Sequence, residues 1–289
     1  MTDIGRVAIV GAGQVGTMVG AALLGAGPSA GVTAIGLYDR DPEIAAKSVS
    51  LGGGDRVLLD PAELFEADAV VLAIPLGEIL SWLKAYGPEL GQGVLLLDAG
   101  SAKLVVVEAM ADFVPEGVHA IGGHPMAGSE ASGPAAAIPG TLRGASFALC
   151  PCRTDDEALA LATTLVSSCG ARPLVLAAEE HDRLVARTSH LPHLVASALA
   201  VVGAAVADEL PLTQALAGTG YRSTTRLAAS DSEMVAAFAS ANRRQLEVAL
   251  REFRQEMAYL ETALADSPNA LATALGKGRI GRALVLGPV

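Results

Sequence analysis

Val7-Ala8-Ile9-Val10-Gly11-Ala12-Gly13-Gln14-Val15-Gly16 is the stretch that decides the fold. Its short apolar run reads as a buried strand, and the Gly-rich residues after it read as a tight turn into a helix. Glycine at 11 permits the turn. Glycine at 13 lets backbone amides approach a pyrophosphate at the helix N-terminus, and glycine at 16 lets helix and strand pack closely. Gly11, Gly13, Gln14, Val15 and Gly16 are therefore expected to hold a dinucleotide. A second apolar run, 33–38, ends at Asp39. A carboxylate there accepts hydrogen bonds from ribose hydroxyls and repels an added phosphate, which favours NAD. Arg40 is able to pair with such a phosphate, so NADP stays possible.

Working outward, further apolar runs at 69–74, 94–98 and 118–121 alternate with helix-compatible stretches, as in a parallel sheet with crossover helices. Runs at 146–150 and 173–176 are expected to extend the sheet. The texture changes near Ala177, and from Ala178 onward no strand is expected. The fold class is α/β: an N-terminal Rossmann-type parallel-sheet domain, residues 1–177, followed by an all-α domain, residues 178–289. In the second domain, 179 to about 207 reads as one long helix with Pro192 inside it. Proline there frees the carbonyl of Thr188, so a kink is expected. A helix start near Ala102 would make Ser101 its cap, and Ser230-Asp231-Ser232-Glu233 reads as a capping box. The helix after that box carries Leu246, Leu250, Phe253, Met257, Leu260 and Leu264, a heptad seam. A second copy of the chain is the simplest cover for it, so a homodimer through the C-terminal helices is expected. No element is assigned to 276–289.

Composition narrows the classes. Of 289 residues, 51% are hydrophobic and 18% charged, which is globular rather than disordered. Aromatics make up only 3%, so the core must come from Ala, Val and Leu. A net charge of −11 with no basic stretch argues against nucleic acid as a partner. No apolar run is long enough to span a bilayer and no leader precedes the first strand, so the expectation is a cytoplasmic protein with no membrane partner. Cys150, Cys152 and Cys169 lack the spacing of a disulfide framework or a zinc site and are expected to be buried, reduced thiols; no metal is expected.

Five more segments gather chemistry. Ile74-Pro75-Leu76, Asp98 to Lys103 and Gly122 to Glu130 fall at the carboxyl ends of expected strands, where ligands bind in such sheets. The others are Ser189-His190-Leu191-Pro192-His193 and Gly218 to Arg226. Together they resemble the prephenate and arogenate dehydrogenase family, in the right order from Val7 to about Leu264. The most specific stretches are Gly122-Gly123-His124-Pro125-Met126-Ala127-Gly128 and Ser189 to His193.

The resemblance implies a Rossmann domain followed by a helical dimerisation domain, with oxidative decarboxylation of a cyclohexadiene acid at the site. Hydride leaves the hydroxyl-bearing carbon for the nicotinamide while a base takes the hydroxyl proton; loss of the ring carboxylate makes the ring aromatic. His124 fits the base, since an ordinary imidazole titrates at about 6.5. By resemblance Ser101 hydrogen-bonds the same hydroxyl, Arg226 holds a substrate carboxylate, and His193 reaches the side chain. Ser129 and Glu130 line the substrate mouth, Ile74 and Pro75 belong to the cofactor site, and His190 supports the fold.

One position departs from the family: Ser223 stands where many relatives carry an Asp that joins an ionic network at the mouth. Prephenate, arogenate and 4-amino-4-deoxyprephenate are all plausible substrates. His193, absent from some arogenate-preferring relatives, tilts the choice to prephenate. No regulatory domain is expected after the dimer helices. A β-hydroxyacid dehydrogenase is a weaker reading, because its catalytic Lys has no counterpart: the only Lys after Lys103 is Lys277. A non-catalytic NAD sensor would not need His124, Ser101 and Arg226 together.

Overall fold

The computed structural model describes residues 4–27, 31–153, 156–206 and 213–287. Its contacts divide the chain into two compact units, Met1–Asn242 and Arg243–Val289.

The first unit is built on an eight-stranded sheet of order β3-β2-β1-β4-β5-β6-β7-β8. Its first elements are β1 (Gly5–Val10), α1 (Gln14–Ala26), β2 (Val32–Tyr38), α2 (Pro42–Ser50) and β3 (Arg56–Val57). Then come β4 (Ala69–Leu72), α3 (Leu76–Tyr86), β5 (Leu95–Asp98), α4 (Leu104–Phe113) and β6 (His119–Pro125). The sheet closes with β7 (Ser146–Pro151), α5 (Asp156–Ser168) and β8 (Arg172–Val175). All four residues of β4 and of β5 are buried, as continuous apolar runs must be when helices cover both faces. One core layer joins Ile9, Leu37, Val71 and Leu97 to α1 and α5. The other joins Val10, Leu72 and Leu96 to Ile79, Leu83 and Met110 of α3 and α4. Strand order reverses between β1 and β4, and a crevice opens at the carboxyl ends of those two strands.

The sheet differs from the sequence expectation in three places. The β6–β7 pair is antiparallel, because the chain between them carries a 3-10 turn at Pro134–Ala136 in place of a crossover helix. Two-residue β3, too short to show a period, adds an edge beside β2. Strand β6 runs on to Pro125, so His124 lies inside a strand and not after one.

The unit continues as helices α6 (Ala178–Val185), α7 (Leu191–Ala204), α8 (Thr213–Leu216), α9 (Thr219–Thr225) and α10 (Ser232–Ala241). No strand follows β8 among the described residues. The kink expected at Pro192 takes the form of a π-turn at Ala186–His190, directly before the proline. The wide turn absorbs the backbone bond that Pro192 cannot donate. The expected end of that helix near Ala207 lies outside the described residues. Asp231, not Ser230, caps α10, accepting from Glu233 N at 2.8 Å and Met234 N at 3.0 Å. Cys150 and Cys169 are buried free thiols that burial pushes up to about 12; Cys152 is also free but partly exposed.

The second unit is a helix pair, α11 (Arg243–Asp266) and α12 (Pro268–Leu286). Helix α12 occupies much of 276–289, where no element was expected; its Gly276, Gly278 and Gly281 dilute the apolar period, while Ser267 and Pro268 give it a sound start. The helix that opens near Asp231 ends at Ala241, so the seam from Leu246 to Leu264 lies on a separate helix, α11, and not on the one expected to carry it; Met257 and Leu264 are 49% and 69% exposed on the single chain. No helix among the described residues is long and apolar enough to cross a membrane.

Candidate active site

The Gly-rich turn forms as its glycines require. Gly11 has φ +96°, and a Cβ there would lie 2.5 Å from the carbonyl oxygen of Ala73. A Cβ on Gly16 would sit 1.9 Å from the carbonyl oxygen of Gly11. Both are demanded by the protein's own packing. A Cβ on Gly13 would meet nothing within 4 Å, so that glycine leaves its backbone open to an approaching group. Val15 packs against the core, and Gln14 begins α1.

A cavity of about 510 Å³ opens beside this turn, lined by Gly11, Gly13, Asp39, Arg40, Ile74 and Pro75 among others. Six residues assigned to the cofactor from sequence thus share one hollow, of a size normal for a ligand site. Asp39 braces the turn: its carboxylate accepts from Ala12 N at 2.9 Å and Asp41 N at 3.1 Å. Arg40 pairs with Glu78 at 3.0 Å, well exposed to solvent. The open backbone at Gly13, the start of α1 and the carboxylate at the end of β2 fit a dinucleotide.

His124 sits near the end of β6, 8% exposed. Its Nδ1 lies 2.9 Å from Nε2 of His181, and Nδ1 of His181 lies 2.8 Å from Oδ1 of Asp182. That carboxylate also caps α4: Oδ1 accepts from Lys103 N at 2.8 Å and Oδ2 from Leu104 N at 3.0 Å. Helix α4 therefore starts two residues later than expected, and its cap is Asp182, not Ser101. Beneath His124, the fully buried Lys103 ammonium pairs with Asp98 and donates to Gly123 O at 2.6 Å. Asp98 accepts in turn from Gly123 N and Gly100 N, each at 2.8 Å.

Burial first, and then electrostatic coupling to His181, Lys103 and His190, holds the His124 pKa well below the ordinary imidazole value. The ring is neutral at physiological pH. Burial raises the Asp182 pKa, but the bonds from His181 and the two α4 amides outweigh it, so the net shift is downward and the carboxylate stays ionised.

His190 lies over Phe238 with ring centroids 4.4 Å apart. Its Nε2 donates to Ser101 O at 3.2 Å, and its Nδ1 accepts from Asn242 Nδ2 at 3.2 Å. Asn242 also donates to Asp182 O at 2.7 Å. Burial, as the leading cause, lowers the His190 pKa to about 4. His193 meets the edge of the same Phe238 ring at 5.3 Å. Its Nδ1 is buried without a hydrogen-bond partner among the described residues.

The remaining expected residues form a chain from the Gly-rich turn. Gln14 Nε2 donates to Ser129 Oγ at 2.6 Å, and Ser129 N donates back to Gln14 Oε1 at 3.1 Å. Glu130, next in sequence, accepts from Arg226 at 2.8 Å. Arg226 is 57% exposed and Glu130 21%. Ser223 Oγ donates to Gly220 O at 3.1 Å. Among the described residues no group of three His, Cys, Asp or Glu is placed to hold a metal ion.

Sequence reasoning missed His181, Asp182 and Asn242, and quoted Asp98 and Lys103 without a role. The buried residues of α6 are Ala178, His181, Asp182 and Val185. That spacing is a helix's inward stripe, so a His–Asp pair on it was the available signal.

Comparison with known proteins identifies the family. A family model described as prephenate dehydrogenase, nucleotide-binding domain, matches residues 23–175. A second, prephenate dehydrogenase, dimerization domain, matches residues 177–275. The cyclohexadienyl dehydrogenase of Zymomonas mobilis is 30% identical over 92% of this chain and 90% of its own length. The prephenate dehydrogenase of Lactococcus lactis is 34% identical over 79% of this chain, which spans 62% of that enzyme. The Aquifex aeolicus prephenate dehydrogenase, solved in complex with hydroxyphenyl propionate and NAD+, superposes with a TM-score of 0.87 at 27% identity, covering 97% of this chain and 98% of that one. A matched nucleotide-binding domain, a matched dimerization domain and relatives aligned over most of its length place the chain in the prephenate/arogenate dehydrogenase family.

Proposed function

We propose that the protein oxidises prephenate with loss of carbon dioxide, giving 4-hydroxyphenylpyruvate and passing hydride to NAD, as a cytoplasmic homodimer joined through its C-terminal helices. The functional boundary is the one expected at 177/178, with the helical part serving dimerisation and substrate binding. The observation that carries the reading is His124: a buried imidazole, kept neutral, near the carboxyl end of β6. NAD, when bound, supplies the hydride acceptor.

The chain's own residues do the rest. His124 accepts the hydroxyl proton, and Ser101 orients that hydroxyl. Arg226 binds a substrate carboxylate through its bidentate fork, exchanging its contact with Glu130 for one with the substrate. Glu130 and Ser129 line the mouth, and His193 meets the pyruvyl side chain. Gly11, Gly13, Gln14, Val15 and Gly16 cradle the pyrophosphate, with Ile74 and Pro75 beside it. Asp39 takes the ribose hydroxyls, and the Arg40 charge is already met by Glu78, which favours NAD over NADP.

The test is reduced-cofactor formation with prephenate, arogenate and 4-amino-4-deoxyprephenate, each with NAD and with NADP. Prephenate with NAD is expected to lead in kcat/KM by about 10-fold or more. A higher value with another ring substrate reassigns the substrate. Equal use of NADP overturns the role given to Asp39. No turnover with any pair overturns the function.

Arg226→Ala should raise the KM for prephenate by roughly 10- to 100-fold, because it removes a charged donor and leaves Glu130 to repel the incoming carboxylate. Steady-state kinetics on the folded variant checks this; an unchanged KM removes Arg226 from the site.

A further inference from the structure

We infer that His181 and Asp182 are positioning residues that fix the tautomer of His124, leaving its Nε2 bare to receive the substrate proton. The inference deepens the function proposed above and rests on it.

Asp182 anchors the series. Its carboxylate accepts two backbone N–H bonds from Lys103 and Leu104 and a third contact from Nδ1 of His181. An ionised carboxylate has no proton to give, so Nδ1 of His181 must carry one. With that as its one ring proton, His181 presents a bare Nε2. Nδ1 of His124 faces that nitrogen at 2.9 Å, and two bare nitrogens would repel. His124 therefore carries its proton on Nδ1 and donates it, and its own Nε2 is the lone-pair nitrogen. One carboxylate sets two rings in series.

Neighbouring groups reinforce the order. The charged or titratable side chains around His124 are His181 and Asp182 from α6, Lys103 just before α4, paired with Asp98 of β5, and His190 from the π-turn. Lys103 is engaged with Asp98 and the Gly123 carbonyl. His190 spends both ring nitrogens on Ser101 O and Asn242. Among the described residues, none of these other groups takes the Nδ1 proton of His124.

The arrangement also favours proton removal. When Nε2 of His124 takes the hydroxyl proton, the substrate O–H bond breaks and an imidazolium forms. Its Nδ1–H bond points along the pair toward Asp182, so the new charge is balanced through His181 and not left in an apolar site. Because Asp182 also caps α4, the base and the loop carrying Ser101 are keyed to the same carboxylate.

The test combines a spectroscopic signature with kinetics. Long-range ¹H–¹⁵N spectra of ¹⁵N-histidine-labelled protein, assigned by loss of signals in His124→Asn, should show Nε2 of His124 as pyridine-like and Nδ1 as N–H bearing. The opposite pattern in the wild-type protein overturns the inference without any variant. His181→Leu removes the acceptor and should lower kcat roughly 10- to 100-fold, with the KM for prephenate within about 2-fold. His181→Gln places an amide oxygen near the lost Nε2 and should recover most of that loss. Wild-type kcat in folded His181→Leu, or equal losses in both variants, overturns the inference. The nitrogen signature is read without substrate. A wild-type protein that oxidises no prephenate would therefore sink the proposed function while leaving the tautomer assignment standing.

Discussion

His124→Asn is expected to lower kcat by ~10²–10⁴-fold while dinucleotide binding survives, the usual worth of a general base. Asparagine suits this test for a local reason. Its amide nitrogen falls close to the position of the imidazole Nδ1, so it can keep donating to Nε2 of His181. What it lacks is the second ring nitrogen. The cavity beside the Gly-rich turn is lined from β1, β2, α2 and α3 and does not include residue 124, so cofactor affinity should stay near wild type. The pH profile carries a second prediction within the same experiment. Neutral imidazole is the active form, and burial together with His181, Lys103 and His190 lowers the His124 pKa. The neutral form therefore persists as pH falls, and the acidic limb of kcat should lie below the ordinary value of 6.5. An imidazole free in water would put the limb at about that value; burial displaces it downward. In His124→Asn this limb should disappear. Near-normal kcat, or an unchanged acidic limb, would move the base elsewhere, with His193 next in line.

How much of this was legible beforehand depends on whether a residue's meaning is local. The Gly-rich turn was readable because its demands are local: a strand, a positive φ at Gly11, and helix packing at Gly16. The central strands were readable because burial on both faces forces continuous apolar runs. The antiparallel β6–β7 pair was not, since direction depends on how the chain returns between them and not on the strands' own residues. Capping near Asp231 was misplaced by one residue because Ser230 and Asp231 are both good caps, and only backbone geometry chooses. The cap of α4 was beyond local reading altogether, because its donor atoms and Asp182 are 78 and 79 residues apart. His181 and Asp182 looked like an ordinary polar helix start. Their register with Ala178 and Val185 marked an inward face, but their partner His124 lies 57 residues earlier. The residues proposed to touch a ligand left motifs in the sequence; those that hold other site residues in place did not.

The largest effect on stability should come from Lys103→Met, expected to destabilise the protein by ~3–5 kcal/mol, as breaking one side of a buried ion pair typically does. Lys103 and Asp98 are both fully buried. Removing the ammonium strands a carboxylate whose remaining partners are the Gly100 and Gly123 amides, each at 2.8 Å. Two hydrogen bonds do not replace a neutralising charge in a site closed to water. The Gly123 carbonyl also loses its donor, Lys103 Nζ, now 2.6 Å away. These contacts join the end of β5, the approach to α4 and the end of β6, the segments that carry Ser101 and His124. The staple therefore sets the spacing between the candidate base and the hydroxyl that shares its task, and the variant should lose kcat as well as stability. A double-variant cycle separates charge from packing. Asp98→Asn removes the stranded charge, so Asp98→Asn/Lys103→Met should be more stable than Lys103→Met by roughly 1–3 kcal/mol. Denaturant unfolding of the wild type, both single variants and the double variant measures the coupling. If the effects of the two substitutions simply add, the ion pair holds nothing together, and the buried ammonium must be kept for its effect on His124 rather than for the fold.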